Sequence, residues 1–382
     1  MPSRAWSVWR RDGRPREAMT VVTRGYGFVS YVWTSTSVWA RLIRVMLSPL
    51  SGLFRFIVAR RNSAFDARIR TGQLAPPALP ALSVGNLTVG GTGKTPVASW
   101  LVSRLREAGA APAVVLRGYG DDEWRVHGLL TPGIPVVVAA ERAVGLEEAR
   151  RLHCDCAVLD DAFQHRQVAR LVDVVLVSAD AWRHHVHLLP SGPYREPLSS
   201  LRRASVIVIT IKAALPDHVR ALYTAVRAAA PGVPIAQLRL VPGAIRLAAT
   251  MGAVDGSPAD HQHELAWLKG RQVVLVSAIA DPGAFRRQVE EAGAVVRHHA
   301  VYPDHHPYTP DDLPQILGHA APDLAVLCTL KDAVKLVALW PRASAALWYV
   351  SQTVVVEQGA DILDQAIGKV LAARRSTTPT AG

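Results

Sequence analysis

One segment carries residue types that can cradle phosphate: Gly90-Gly91-Thr92-Gly93-Lys94-Thr95. Glycines let backbone N–H groups turn toward phosphate oxygens, a lysine can reach the β- and γ-phosphates, and a threonine hydroxyl can ligate Mg²⁺. Gly93-Lys94-Thr95 fits the phosphate-binding loop pattern, but Thr88 stands where that pattern has its first glycine, and Gly90 and Gly91 supply the backbone freedom instead. An apolar stretch precedes the loop and a helical pattern follows it, so a helix N-terminus can add its dipole to the phosphate site. A plain glycine turn has no need of Lys-Thr at the start of a helix. The reading is an ATP site formed by Gly90, Gly91, Thr92, Gly93, Lys94 and Thr95, with Mg²⁺ as its ion.

Three further segments could act on a bound triphosphate. Ala157-Val158-Leu159 ends in Asp160-Asp161, an apolar strand closed by acids that can hold Mg²⁺ directly or through water. Leu188 to Pro197 is dense in Pro and Gly and contains Arg195-Glu196. An arginine can stabilise a transferring phosphoryl group and a glutamate can ligate a metal, although by residue type alone this is only a rigid loop. In Tyr302-Pro303-Asp304-His305-His306-Pro307-Tyr308 an acid adjoins a histidine that it can orient for proton transfer. The spacings of His305 and His306, and of His184, His185 and His187, match no zinc pattern. Cys154-Asp155-Cys156 has no second cysteine pair and is expected to pack beside a strand, and with Cys328 the usage fits a reducing cytoplasm.

These residues need a scaffold, and the pattern around them is α/β. An apolar run at 81–84 and short Val-rich runs at 113–116, 135–139, 157–159, 174–177 and 206–209 are accompanied by helical stretches at 96–108 and 141–153. Continuous apolar strands between helices predict a mostly parallel sheet covered on both faces, of the P-loop NTPase type. A second α/β pattern begins with a strand at 273–277 and a helix at 283–292. The expected organisation is an N-terminal extension over 1–37, basic amphipathic helices over 38–72, a P-loop kinase core over 73–230, a connecting strand and linker over 231–265, a smaller α/β domain over 266–375, and a frayed tail over 376–382.

The net charge of +12 is concentrated at one end. The first 70 residues hold thirteen Arg, no Lys and only Asp12, Glu17 and Asp66 as acids, which is ten of those twelve charges. Trp6, Trp9, Trp33 and Trp39 lie among them. Arginine beside tryptophan suits an anionic membrane surface. Residues 38–60 predict two short amphipathic helices broken near Pro49, and the uncharged run from Gly25 to Ala40 falls short of the ~20 apolar residues of a bilayer span. No secretion signal is read, and no nucleic-acid partner is expected.

The segment Ser83 to Pro96, including Thr88, resembles the P-loop of the tetraacyldisaccharide 4'-kinase family, the lipid A 4'-kinases of Gram-negative bacteria. The resemblance continues at Arg117-Gly118-Tyr119-Gly120, at Leu159 to Arg166, at Leu189 to Pro197, at Pro303 to Thr309 and at Lys331 to Leu336, spanning roughly residues 38–372 in the family's order. It implies transfer of the ATP γ-phosphate to the 4'-hydroxyl of a tetraacyl disaccharide 1-phosphate at the cytoplasmic face of the inner membrane. By this resemblance Lys94 and Thr95 match the phosphate and Mg²⁺ residues, Asp160 and Asp161 the strand-end acids, and Arg195 and Glu196 an Arg-Glu pair at phosphate and metal. The family's catalytic acid and its neighbouring Glu fall on Asp122 and Glu123, with Asp121 the alternative for the acid, and its histidine partner falls on His305. The chain departs from the family at Trp124, Ala162 and Leu330, which replace Pro, Gly and Glu. The competing reading is a membrane-associated P-loop ATPase acting as a nucleotide-dependent switch. Such proteins carry a second lysine early in the loop, and this chain has no lysine before Lys94.

Overall fold

The computed structural model describes residues 26–74, 76–118, 122–251, 262–320, 324–341 and 344–377. The N-terminal extension up to Gly25, with Trp6 and Trp9, lies outside the described residues, as does Asp121.

Two helices come first, α1 (Tyr26–Thr34) and α2 (Val38–Arg70). Ser37 caps α2, its hydroxyl accepting from the Ala40 amide at 3.2 Å. The break expected at Pro49 does not occur, and α2 runs through it as one helix of 33 residues. Proline has no N–H to give the carbonyl four residues back. Here Ser48 Oγ donates to that carbonyl, Val45 O, at 2.7 Å, so the acceptor is not left bare. By length and composition alone α2 is long and apolar enough to cross a membrane, which the uncharged run at 25–40 is not.

The chain divides into two compact units. The larger comprises Ser30–Leu240 and the chain from Val354 onward; the smaller is built on Val241–Thr353, with the described residues before Ser30 also assigned to it. In the larger unit the elements are β1 (Ala81–Asn86), α3 (Lys94–Glu107), β2 (Pro112–Leu116), α4 (Glu123–Leu130), β3 (Val136–Val138), α5 (Arg142–Arg151), β4 (Cys156–Asp160), β5 (Val172–Ser178), β6 (Val206–Ile211), α6 (Pro216–Ala229) and the first part of β7 (Ile235–Leu247). Their strands pair in the order β7-β6-β5-β1-β4-β2-β3, every pairing parallel. The apolar runs are buried on both faces: Leu82, Val84, Val158 and Val174 pack with α3 on one side, while Ala81, Leu159 and Val115 pack with Leu146 of α5 on the other.

The smaller unit holds β8 (Gln262–His263), β9 (Gln272–Ser277), α7 (Pro282–Glu291), β10 (Val295–Val301), α8 (Leu313–Leu317), β11 (Ala325–Thr329), α9 (Leu330–Leu336) and the first part of β12 (Leu347–Gln358). Strands β10, β9, β11 and β12 pair in that order, all parallel. The boundaries differ from those expected. The smaller unit begins inside β7 and ends inside β12, and α10 (Ala360–Thr377) belongs to the larger unit. The reason is burial: Leu363, Ala366, Ile367 and Val370 of α10 join the same apolar cluster as Leu101 and Leu105 of α3.

Gly85 shows how tightly the two central strands are joined. A Cβ there would lie 2.5 Å from Phe163 Cβ and 2.8 Å from the Phe163 amide nitrogen, in the turn after β4. Because a backbone atom is in the way, Gly85→Ala is expected to cost about 1–3 kcal/mol through overpacking. Thermal unfolding of that variant measures it, and an unchanged melting temperature would show that the turn can move aside.

Candidate active site

Strand β1 delivers the glycine loop from the middle of the sheet. Gly93 precedes α3 with φ of +86°, a conformation that glycine adopts freely, and an added Cβ would run into Leu240 Cδ1. Lys94 opens α3 and Thr95 follows, buried in its first turn. The loop is laced internally by Asn86, fully buried at the end of β1. Its Nδ2 donates to Thr92 Oγ1 at 2.9 Å and its Oδ1 accepts from Lys94 Nζ at 3.2 Å. From β6, Thr210 Oγ1 donates to Thr92 O at 2.9 Å.

The acids arrive on β4, whose parallel pairing with β1 sets Asp160 opposite Val84. Asp161 then takes a left-handed φ of +47°, and the two carboxylates find different partners. That of Asp160 is buried: Oδ2 lies 2.9 Å from His127 Nε2, and Oδ1 accepts from the Asp161 amide at 2.8 Å. Burial opposes its charge, but the hydrogen bond and field of His127, with Lys94 and the Asp161 amide, outweigh it and hold the Asp160 carboxyl below its ordinary pKa. Asp161 is approached by Lys94 Nζ at 3.5 Å and by an Arg195 guanidinium nitrogen at 3.3 Å. Arg142 donates to the Asp160 carbonyl at 2.8 Å, and burial lowers its own pKa.

Backbone pairing brings Arg195 there. The Val89 amide donates to Pro193 O at 2.8 Å and the Arg195 amide to Leu87 O at 2.7 Å, so the Pro-Gly segment lies along the entry to the glycine loop. Glu196, the next residue, turns the other way and is fully buried. Its Oε2 accepts from Asn62 Nδ2 at 2.9 Å and from Arg203 at 2.7 Å, and Arg61 stands 3.6 Å from Oε1. Arg203 lies over the Phe163 ring at 4.7 Å, and Arg166 donates to Asn62 O at 2.9 Å. Ser51 and Ser191 hydroxyls meet at 2.7 Å. Helix α2 is thereby stitched to the segment that carries Arg195. The carboxylate of Glu196, matched by family resemblance to a metal ligand, is engaged in this ion-pair knot.

Asp122 is buried just before α4 and Glu123 opens that helix. In the smaller unit, His306 is tied down: its Nε2 is 3.0 Å from Asp312 Oδ2 and its ring stacks on Tyr302 at 4.8 Å. His305 has a left-handed φ of +63° and a 44% exposed side chain, 3.9 Å from Asp304. Of the two adjacent histidines, His305 is therefore the one presented to solvent. Its loop rests on fully buried Asp332, whose Oδ1 accepts from the Ala278 amide at 2.9 Å and from Tyr308 Oη at 3.0 Å. Burial pushes the Asp332 carboxyl up, against the pull of its Thr329, Ala278 and Tyr308 hydrogen bonds. The three cysteines are buried, and burial raises their thiol pKa values, in keeping with packing roles.

The donors suit Mg²⁺. Thr95, Asp160, Asp161 and Glu123 offer hard oxygens, the ligand type this ion takes. Among the described residues no three His, Cys, Asp or Glu side chains gather closely enough to hold an ion by themselves. Residue types alone did not single out Asn86, His127, Asn62 or Arg203. Asn86 carried a readable signal, an amide at the strand end directly before a glycine loop; the others depend on partners distant in sequence.

A glycine loop between a central strand and a helix, with strand-end acids beside it and a lysine and an arginine meeting at one of them, defines a P-loop phosphotransferase. Comparison with known proteins agrees. The family model described as tetraacyldisaccharide-1-P 4'-kinase matches residues 43–132 and 129–372. A tetraacyldisaccharide 4'-kinase of Anaeromyxobacter dehalogenans is 34% identical over 84% of this chain and 88% of its own length. One from Chlorobium limicola is 31% identical over 76% of this chain and 86% of its own. The crystal structure of LpxK from Aquifex aeolicus, determined in complex with ATP, is 25% identical, with a TM-score of 0.63 over 86% of this chain and 99% of that one. The chain belongs to the tetraacyldisaccharide 4'-kinase family and is an ATP-dependent kinase. This membership favours the kinase over the nucleotide-gated switch.

The knot around Glu196 makes a prediction. Asn62→Leu removes one donor to a buried carboxylate, a loss of about 1–3 kcal/mol. Thermal unfolding and ATP turnover should both fall, and a variant with unchanged stability and turnover would remove α2 from the support of Arg195.

Proposed function

We propose that this protein transfers the γ-phosphate of ATP to the 4'-hydroxyl of a tetraacyl glucosamine disaccharide 1-phosphate, at the cytoplasmic face of a bacterial inner membrane. The observation that carries phosphoryl transfer is the convergence of Lys94 and Arg195 on Asp161 beside the glycine loop. The nature of the acceptor rests on family membership.

In this reading the backbone of Gly90 to Gly93 and the start of α3 receive the phosphates, with Lys94 and Arg195 stabilising charge on the transferring group. The acceptor oxygen bonds to the γ-phosphorus as the bond to the bridging oxygen breaks, and ADP leaves with that oxygen. Asp122 takes the hydroxyl proton. Thr95, Asp160, Asp161 and Glu123 would hold Mg²⁺, which would supply neutralisation of the triphosphate charge.

Helix α2 is the part suited to the membrane surface. Trp39 and Met46 are 72% and 78% exposed, and Phe56 and Ile57 are exposed too, among Arg41, Arg44, Arg55 and Arg60. Apolar side chains interleaved with arginine bind an anionic bilayer by burial and charge together.

Two experiments test the reading. Incubation with labelled ATP and the tetraacyl disaccharide 1-phosphate in detergent should yield labelled lipid; no transfer under conditions where the Chlorobium relative is active overturns it. Asp122→Ala should slow turnover by about 10²–10⁴-fold while ATP binding changes little. Near-normal turnover would assign the proton to another group.

A further inference from the structure

The buried side of Asp160 leads to a residue outside the nucleotide and phosphate machinery. His127, on α4, is fully buried. Its Nε2 is 2.9 Å from Asp160 Oδ2 on β4, and its Nδ1 is 3.0 Å from Ser99 Oγ on α3, itself buried. One ring thus bridges the helix that follows the glycine loop, the strand that ends in the acids and the helix that follows Asp122 and begins with Glu123. With Ser99 donating to Nδ1, the neutral ring carries its proton at Nε2; with both nitrogens protonated, Ser99 accepts instead. In either state Nε2–H donates to Asp160.

We propose that His127 is a positioning residue for metal-assisted ATP binding. By occupying Oδ2, while the Asp161 amide occupies the other oxygen, it holds Asp160 in one rotamer. The remaining lone pair of Oδ1 then keeps a fixed direction, along which Mg²⁺ would be met. The same hydrogen bond fixes α4 against β4, so the depth of Glu123 and Asp122 is set from the acid strand. A bare structural histidine at this place would fill volume and nothing more. Here both nitrogens are within hydrogen-bond distance of polar side chains that belong to the site's own elements.

The inference rests on the phosphotransfer reading and is tested apart from it by equilibrium binding of a fluorescent ATP analogue to the full chain, with Mg²⁺ and with EDTA. His127→Leu should bind the analogue in EDTA like the unmodified protein and lose about 10–100-fold of the affinity gained with Mg²⁺. The metal concentration needed for half-maximal turnover should rise in parallel. His127→Gln, which can offer an N–H near the Nε2 position, should retain most of the Mg²⁺ effect. His127→Asn, which reaches only the Nδ1 position, should not. If the leucine variant does not fold, the Gln and Asn pair decides the matter. An Mg²⁺ effect kept in His127→Leu overturns the proposal, as does equal loss in the Gln and Asn variants. An unmodified chain that binds the analogue with Mg²⁺ but transfers nothing overturns the kinase reading alone.

Discussion

Two backbone hydrogen bonds, from Val89 to Pro193 and from Arg195 to Leu87, hold the candidate site together. They lay an irregular Pro-Gly segment along the first residues of the glycine loop. Main-chain pairing of this kind fixes alternation, so neighbouring side chains leave in opposite directions. Arg195 consequently faces Asp161 and Lys94, while Glu196 faces Asn62 and Arg203. The charge at the loop mouth and the anchorage of α2 are thus two faces of one short extended segment.

The acids show the same division. Asp160 and Asp161 are adjacent, yet the left-handed turn at Asp161 sends one carboxylate into the protein and leaves the other at the loop. Burial without partners would favour the neutral form of Asp160; His127, Lys94 and the Asp161 amide reverse that. Asp332 illustrates the opposite balance, in which hydrogen bonds do not fully compensate for burial. The states of these two carboxylates are therefore set by their surroundings rather than by their motifs.

Much of the larger unit was legible because parallel strands buried on both faces must be continuously apolar, and the runs at 157–159, 174–177 and 206–209 are. The glycine loop was legible for a similar reason, since its residue types have few other uses. What escaped depended on distant partners. Pro49 reads as a helix break until Ser48 is seen bonding to Val45 O. The burial of Glu196 depends on Asn62, 134 positions away. His127 is a lone histidine in a short apolar helix and acquires meaning only from Ser99 and Asp160. The C-terminal boundary was missed because nothing in the pattern of α10 says which core it joins.

That return of the chain has a consequence for how the protein is made. Residues 241–353 are spliced into the larger unit, whose last helix packs Leu363, Ile367 and Val370 against α3. On the ribosome the glycine loop emerges well before α10, and the core beneath the loop stays incomplete until that helix is made. A chain halted after the smaller unit would expose the apolar floor of its own nucleotide site. Exposed apolar surface of that kind makes an incomplete chain prone to aggregation.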